Sequence, residues 1–407
     1  MHRRKWFAWM AALGWLIMTP ASSLGSGFAL FEAGARGVAL GSAVVARADD
    51  LSAVFFNPAG LVQLPGFQVM GGFSFLMPHA EIVTRGAGGD VTTPMEGWLS
   101  IAPHFFTSYQ FSDRVWLGMG LNSPFGLGVR YENFWPGNAD IINASLKTVN
   151  LNPTVAVKIT DYLSAGGGFD LMYFNFNETR MLPLPFPLGA QKLHVAVDTW
   201  GEGYNFGLHL KPRDDISLGI SYRSQVRQSV SGPAYFKPYD ILDAKLSSSI
   251  ILPDSIFSGI MVRPLEKLSV EVGAFWTHWS LYRNLDFKFE NPLGVLSDGK
   301  NWHNTWRGQV GVEYRALPWL DLRAGYALEN EPMPDRSADY TVPTTDRRHT
   351  FSLGAGFHWQ AMTLDLTYAM AYMPSRTVDN SLDTGVLPST FQGRFSHDVV
   401  CTLGYKF

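Results

Sequence analysis

Charge is what this chain has least of. Asp, Glu, Lys and Arg together make up 16% of its 407 residues, against roughly 25% in ordinary soluble domains. A surface so poor in charge argues against an array of soluble β-sandwiches. Cysteine is nearly missing as well. Cys401 is the only one, so no intrachain disulfide and no cysteine-built zinc site can form. Past the first two dozen residues no stretch offers 18 uninterrupted apolar residues, which excludes a membrane-spanning helix in the mature chain. Basic patches are lacking too. The formal net charge is -3, and it becomes -6 once the three cations Arg3, Arg4 and Lys5 are subtracted. Nucleic acid is therefore not an expected partner. There is no G-x-S-x-G elbow, and the ten histidines show no H-E-x-x-H spacing. The residues supply no catalytic set, no metal ligands and no cofactor motif. An outer-membrane enzyme acting on lipids is the reading from another class.

What the chain does have is glycine (40), phenylalanine (28) and tryptophan (13), with aromatics at 14% and hydrophobic residues at 46%. The first 25 residues read as a cleaved export signal. His2 to Lys5 carry the charge, Trp6 to Met18 the apolar run, and small residues follow around Ser23 and Gly25. Residues 26–65 are rich in Gly, Ala and small apolar side chains and do not alternate. Two short helices are expected there, around Ala29–Leu40 and Asp50–Phe56. Asp49 or Asp50 is placed to cap the second, and Pro58 to stop it. Helices this short need a surrounding wall.

From Gly66 onward the sequence alternates with a period of two. Phe395, His397, Val399, Cys401, Leu403, Tyr405 and Phe407 share one face of the last strand. Arg394, Ser396, Asp398, Val400, Thr402, Gly404 and Lys406 share the other. The segments 350–359 and 363–372 repeat the pattern. Short turns fall near Ser112-Asp113, Asp161, Pro212–Asp215, Pro264–Lys267, Ala316–Trp319 and Gln360-Ala361. Long loops are expected near 78–97, 129–146, 181–196, 231–251, 286–301, 330–346 and 375–393. Six short turns and seven long loops join 14 antiparallel strands, with short turns on one side only, as in outer-membrane barrels of Gram-negative bacteria. The expected fold is all-β: a 14-stranded transmembrane barrel over residues 66–407, plugged by residues 26–65. Such a barrel would meet outer-membrane lipid and lipopolysaccharide on its outer face.

Several segments carry a more specific resemblance: ADDLSAVFFNPAGL at Ala48–Leu61, NSPFGLGVRY at Asn122–Tyr131, LPDSIFSG at Leu252–Gly259, WTHWSLYRNL at Trp276–Leu285, and the terminal Phe407. SGF at Ser26–Phe28 and PTTDRR at Pro343–Arg348 add to it. In these the chain resembles the FadL/TodX family of outer-membrane transporters for long-chain fatty acids and other hydrophobic compounds. The resemblance implies a hatch inside the barrel, a kink in the third strand that opens the wall sideways, and passive diffusion of ligand into the membrane. It also implies that the hatch element Asn57-Pro58-Ala59 abuts that opening.

The residues bear on the same idea independently. Pro124 falls in the third strand and Pro103 in the second. Counting back from the turn at Ser112-Asp113 puts Pro103 opposite Asn122–Ser123. Proline has no N–H for the ladder, and a closed barrel has no edge to hide it. Pro103, Pro124, Phe125 and Gly126 therefore mark a candidate gap; the plainer alternative is that Pro124 ends a strand at the rim. For a carboxylate head group the candidates are Arg307, on the inward parity of its strand, and Arg347, with Asp346 as charge partner and His303 nearby. Ordinary wall-bracing ion pairs would look the same. The segment Leu182 to Leu188 is unusually apolar for a loop. Leu184, Phe186 and Leu188 are read as a landing surface for ligand, or as packing against the 231–251 loop. The expected cargo is a long-chain fatty acid or a similarly apolar compound, with aromatic or aliphatic hydrocarbon as the second reading.

Overall fold

The computed structural model describes residues 27–407 apart from 98, 343, 344 and 384. The expected export signal, Ser26, Pro343 and Thr344 lie outside the described residues. Fourteen wall strands run antiparallel and close on themselves. They are β1 (Phe67–Gly86), β2 (Ser100–Gln110), β3 (Val115–Asn122 and Gly126–Arg130), β4 (Asn143–Lys158), β5 (Leu163–Pro183), β6 (Ala190–Arg213) and β7 (Ile216–Arg223 and Val226–Lys237). The circle continues through β8 (Ala244–Leu252 and Ser255–Leu265), β9 (Leu268–Thr277 and Asn284–Phe289), β10 (Val295–Gly299 and Thr305–Leu317), β11 (Leu320–Asn330), β12 (Arg347–Trp359), β13 (Met362–Met373 and Arg376–Val378) and β14 (Ser389–Lys406). β14 closes the circle on β1, from Gln68↔Lys406 to Thr84↔Ser389.

All six short turns fall where the alternation ends. The long connections differ from expectation. Much of 78–97, 181–196, 231–251 and 286–301 is ordered strand, because neighbouring strands keep pairing past the turn-distal rim. β5 and β6, for example, stay in register from Leu163↔Leu210 to Pro183↔Ala190. Paired backbone is the cheapest way to satisfy N–H and C=O groups there. The faces of β14 divide as the alternation predicts. Arg394, Ser396, Asp398 and Thr402 are buried in the lumen, while Val399, Leu403 and Tyr405 point outward.

Residues 27–65 lie inside this wall and are almost wholly buried. The helices are shorter than expected: α1 (Ala35–Ala39), α2 (Ala53–Phe56) and a 3-10 turn at Pro58–Gln63. Their weak intrinsic stability is offset by the wall. Glycines line the contact. A Cβ at Gly166 would stand 2.6 Å from Pro58 C, one at Gly219 2.1 Å from Val45 O, and one at Gly325 2.2 Å from Gly41 N. A Cβ at Gly207, Gly311 or Gly354 would stand 2.2–2.6 Å from Asn57, Leu40 or Ala39. Glycine in a strand marks close backbone approach, and here it lets a compact plug touch strands on many sides.

Charge fastens the turn-side end. Glu313 takes both Arg36 Nε and Nη2 at 2.9 Å, Arg47 Nη1 at 2.8 Å and Arg323 Nε at 2.7 Å. Arg36 Nη1 also reaches Asp49 at 2.6 Å. Glu271 accepts the backbone N–H groups of Ala46 and Arg47 at 2.9 and 2.8 Å. Asp50 accepts the N–H of Ser52 at the mouth of α2.

Candidate functional site

The wall is interrupted at the seam between β2 and β3. β2 and β3 pair from Gln110↔Trp116 only as far as Phe105↔Leu121. β3 then breaks at Ser123–Phe125 and resumes at Gly126, now paired with β4 alone (Gly126↔Lys147 to Arg130↔Asn143). Among the described residues no ladder joins 100–104 of β2 to 123–129 of β3. Higher up, Glu96 N–H donates to Arg130 O at 2.8 Å and bridges the rim. Pro103 faces this stretch and is paired with Phe73 on its other side. The missing donor of Pro124 costs nothing here. Thr148 of β4 serves the kink instead, accepting Phe125 N–H at 3.0 Å and donating to Phe125 O at 2.6 Å.

The seam's inner side is covered by the start of the plug. Leu30 N–H donates to Pro124 O and Gly126 N–H to Phe28 O, both at 2.9 Å. Between them Ala29 and Phe125 form an antiparallel bridge. Leu30 packs on Leu76 and Ala102 of β1 and β2. Residues 28–30 thus hydrogen-bond to one lip of the seam and bury a side chain on the other.

Phe28 sits in an aromatic box. Its ring centroid lies 4.7 Å from Trp279, 5.8 Å from Trp302, 5.9 Å from Tyr282 and 6.2 Å from Phe125. Phe28, Tyr282 and Trp302 also line a tight cavity of about 30 Å³, together with Leu127, Leu146 and Phe176. Its remaining wall is charged. Lys300 Nζ meets Asp339 Oδ2 at 2.7 Å, and Arg180 Nη1 meets Asp298 Oδ2 at 3.2 Å. Glu178 and Asp140 complete this end. Burial, then Asp339 and Asp383, push the Asp140 carboxyl well above the usual carboxylate range, against the pull of Lys300 and the Tyr340 N–H. Burial alone would lower Lys300, but Asp339 and Asp298 hold its ammonium well above its ordinary value. Asp298 also lines an outer groove of about 530 Å³ with His303, Asp335, Arg336 and Asp383. Groove and cavity therefore meet at one carboxylate.

The residues singled out from sequence fall in different places. Pro103, Pro124, Phe125 and Gly126 come together at the seam. Asn57, Pro58 and Ala59 do not abut it: Asn57 Nδ2 donates to Val45 O and to Leu208 O of β6, and Ser164 of β5 donates to Ala59 O at 2.9 Å. The triplet is a docking foot on β5–β7. Arg307 points inward as expected, but it lies under the plug, 3.3 Å from Glu329 and 5.3 Å from the Phe31 ring centroid. Arg347 is exposed; Arg348 is the inward residue, 4.0 Å from Glu32 of the plug. Asp346 is exposed and pairs with Arg376 at 3.4 Å. His303 sits in the outer groove and not in the cavity. None of these four therefore reaches the cavity. Its cations are Arg180 and Lys300, which the sequence reading passed over. Arg180 shares parity with Phe174, Phe176 and Glu178 and could have been found by carrying β5 further.

Phe186 is 97% exposed at the β5–β6 tip, with Leu184 and Leu188 half-buried beside it. Two contacts bring neighbouring tips close: Tyr239 N–H to Gln191 Oε1 at 3.3 Å and Lys192 Nζ to Asn133 Oδ1 at 2.8 Å. These tips carry Phe134 (90% exposed) and Ile241 (87%).

Comparison with known proteins agrees with this architecture. Residues 16–404 match the family described as outer membrane protein transport protein (OMPP1/FadL/TodX). The chain is 26% identical to outer membrane protein P1 of Haemophilus influenzae, over 80% of this chain and 81% of that one. It is 23% identical to a long-chain fatty acid transport protein of Escherichia coli, over 82% and 83%. In structure it is similar to a Pseudomonas aeruginosa FadL homologue (TM-score 0.82, 20% identity, 94% of this chain and 100% of that one). It is also similar to the toluene transporter TodX of P. putida (TM-score 0.71, 19% identity, 92% and 98%).

Proposed function

We propose that this chain, which belongs to the OMPP1/FadL/TodX family of outer-membrane transport proteins, takes up long-chain fatty acids or similarly apolar compounds and releases them sideways into the membrane through the β2–β3 seam. Cargo lands on the apolar loop tips around Phe186, passes the outer groove and enters the cavity beside Phe28. The observation that carries this reading is that one short segment covers both places. Phe28 occupies the box at the cavity and Leu30 covers the seam, two residues apart. A ligand that displaces Phe28 pulls the cover from the seam.

Magnitudes support that order of events. Two backbone hydrogen bonds and two buried side chains hold residues 28–30 with roughly 5–8 kcal/mol. Each methylene taken from water is worth about 0.8 kcal/mol, so a chain of about 16 carbons brings on the order of 10 kcal/mol. The same figure opposes release into the aqueous periplasm and favours exit into lipid. The test is uptake of labelled oleate and of toluene by cells whose only transporter of this kind is this protein. Wild type is compared with Pro124→Val/Gly126→Val, which restores a donor and adds bulk at the kink. Reduced uptake with normal barrel assembly is expected. Unchanged uptake contradicts the lateral route. The aromatic box gives the hydrocarbon reading its own support, and a toluene signal without an oleate signal would select it.

A further inference from the structure

We infer that the upper halves of β7 and β8 form a side door, a hairpin that swings outward to admit cargo from the head-group level of the outer leaflet. This rests on the uptake reading and adds an entrance to it. The first observation is how little holds the hairpin. Its own two strands stay paired from Val226↔Leu252 to Ala234↔Ala244. Among the described residues no ladder joins 225–233 of β7 to 196–203 of β6, and none joins 248–254 of β8 to 278–287 of β9. The neighbouring strands regain it only towards the tip. Ala234↔Val195 to Lys237↔Lys192 hold one flank, and Leu246↔Phe289 with Ser247↔Lys288 hold the other.

The second observation is a hinge. β7 breaks at Ser224–Gln225 and β8 at Pro253–Asp254. The pairs on either side, Arg223↔Ser255 and Val226↔Leu252, keep one register, so the two breaks face each other across the hairpin. Pro253 has no N–H to give to a ladder. Each end of this line is pinned to a neighbour. Ser224 N–H donates to Tyr204 O at 2.8 Å, and His278 N–H to Asp254 O at 3.0 Å. The line also lies where the outer face changes character. Below it Ile220, Ile256 and Ile260 are exposed. At it the rings of Tyr204 and Tyr222 stand 6.1 Å apart. Above it Arg227, Ser229, Ser247 and Ser249 are exposed. Apolar, then aromatic, then polar is how an outer-membrane wall rises out of the hydrocarbon. Bare strand edges are untenable within that layer, but above it water serves them.

The third observation is what the hairpin covers. Gly201 and Gly203 of β6 have no side chains, and β7 leans over them. A Cβ at Gly201 would stand 2.7 Å from Val226 Cγ1 and 2.8 Å from both amide atoms of Gln228. Outward movement withdraws these two side chains and leaves a slot edged by glycine. Gln228 is fully buried with neither amide atom hydrogen-bonded, which weakens the closed position. Behind the hairpin, Ile250 lines the cavity together with Phe28 and Phe176. The door therefore opens on the cavity itself.

The experiment locks the slot. Continuing the tip register sets Asp198 of β6 opposite Ser231 of β7, both exposed and clear of the lumen and the loop tips. Antiparallel partners lie within reach of a disulfide. Asp198→Cys/Ser231→Cys in a Cys401→Ser background is placed in phosphatidylcholine nanodiscs, oxidised and then reduced. Labelled oleate is supplied through the lipid, and the rate at which the protein loads is read against empty nanodiscs. Loading should slow severalfold in the oxidised protein and recover on reduction. Equal rates in the two forms overturn the inference and leave the uptake reading standing. A reduced protein that never loads overturns both. If this pair does not close, Lys192→Cys/Lys237→Cys locks the hairpin where it is already laddered, and the same comparison decides.

Discussion

At the scale of single residues, the proposed route turns on Phe28. Its ring is held by four aromatic neighbours, and removing it leaves a box that the short chain cannot refill. Phe28→Ala should therefore enlarge the cavity, weaken the cover over the seam and raise the rate of toluene uptake about severalfold, since large-to-small changes in such sites cost roughly 3–5 kcal/mol. Uptake at the wild-type rate would show that this ring does not limit entry. Asp140 supports a second prediction. Its carboxyl is held well above the ordinary range by burial and by Asp339 and Asp383. A carboxyl raised by folding destabilises its loop as pH climbs through the folded value, and the loop is steadier below it. Asp140→Asn keeps the acceptor for Tyr340 N–H and removes that penalty. Limited proteolysis of the 131–142 loop at neutral pH should slow in the variant, and the difference should fade in acid. The misplaced head-group residues teach a lesson at this scale. The inward face of β12 was readable as Thr350, Ser352 and Gly354, whose parity points to Arg348 and not to Arg347. The cavity itself was not readable, because Arg180, Lys300 and Asp339 come from three distant segments whose meeting is fixed only by barrel closure.

Among elements, the plug and the wall explain each other. Period-two alternation located every short turn, because lipid on one side and lumen on the other impose opposite demands on neighbouring side chains. The rim could not be read the same way. There both faces meet water, alternation lapses, and paired extensions look like loops. The abundance of glycines, 40 in all, was visible in the sequence, but not why so many face inward. Their cause is the plug backbone, which comes within van der Waals reach of the wall at Gly166, Gly219 and Gly325. Gly219→Ala would set a methyl 2.1 Å from Val45 O, an overpacking that costs about 1–3 kcal/mol. The barrel should still assemble, but the plug should loosen. Planar-bilayer recordings should then show ion leak that the wild type lacks. A silent variant would mean that the plug yields without opening. The Asn57-Pro58-Ala59 unit belongs here too. The resemblance singled it out, but which strands it docks on was not legible, since that is a long-range contact.

At the scale of the whole molecule, the sheet is interrupted between β2 and β3, and residues 28–30 lie across that interruption. The plug is fixed at its turn-side end by Glu313 and Glu271 and by the glycine contacts, so the proposed route assigns the movement to the segment before α1. The bridge between Ala29 and Phe125 offers a way to hold that segment still. The flanking bonds, Leu30 N–H to Pro124 O and Gly126 N–H to Phe28 O, make the two residues a non-hydrogen-bonded antiparallel pair, whose Cα atoms lie about 4.5 Å apart, near enough for a disulfide. The decisive measurement is uptake of labelled ligand by Ala29→Cys/Phe125→Cys in a Cys401→Ser background, oxidised and then reduced. The account predicts that uptake collapses when the bridge is closed and returns on reduction. Full uptake through the oxidised protein would contradict it.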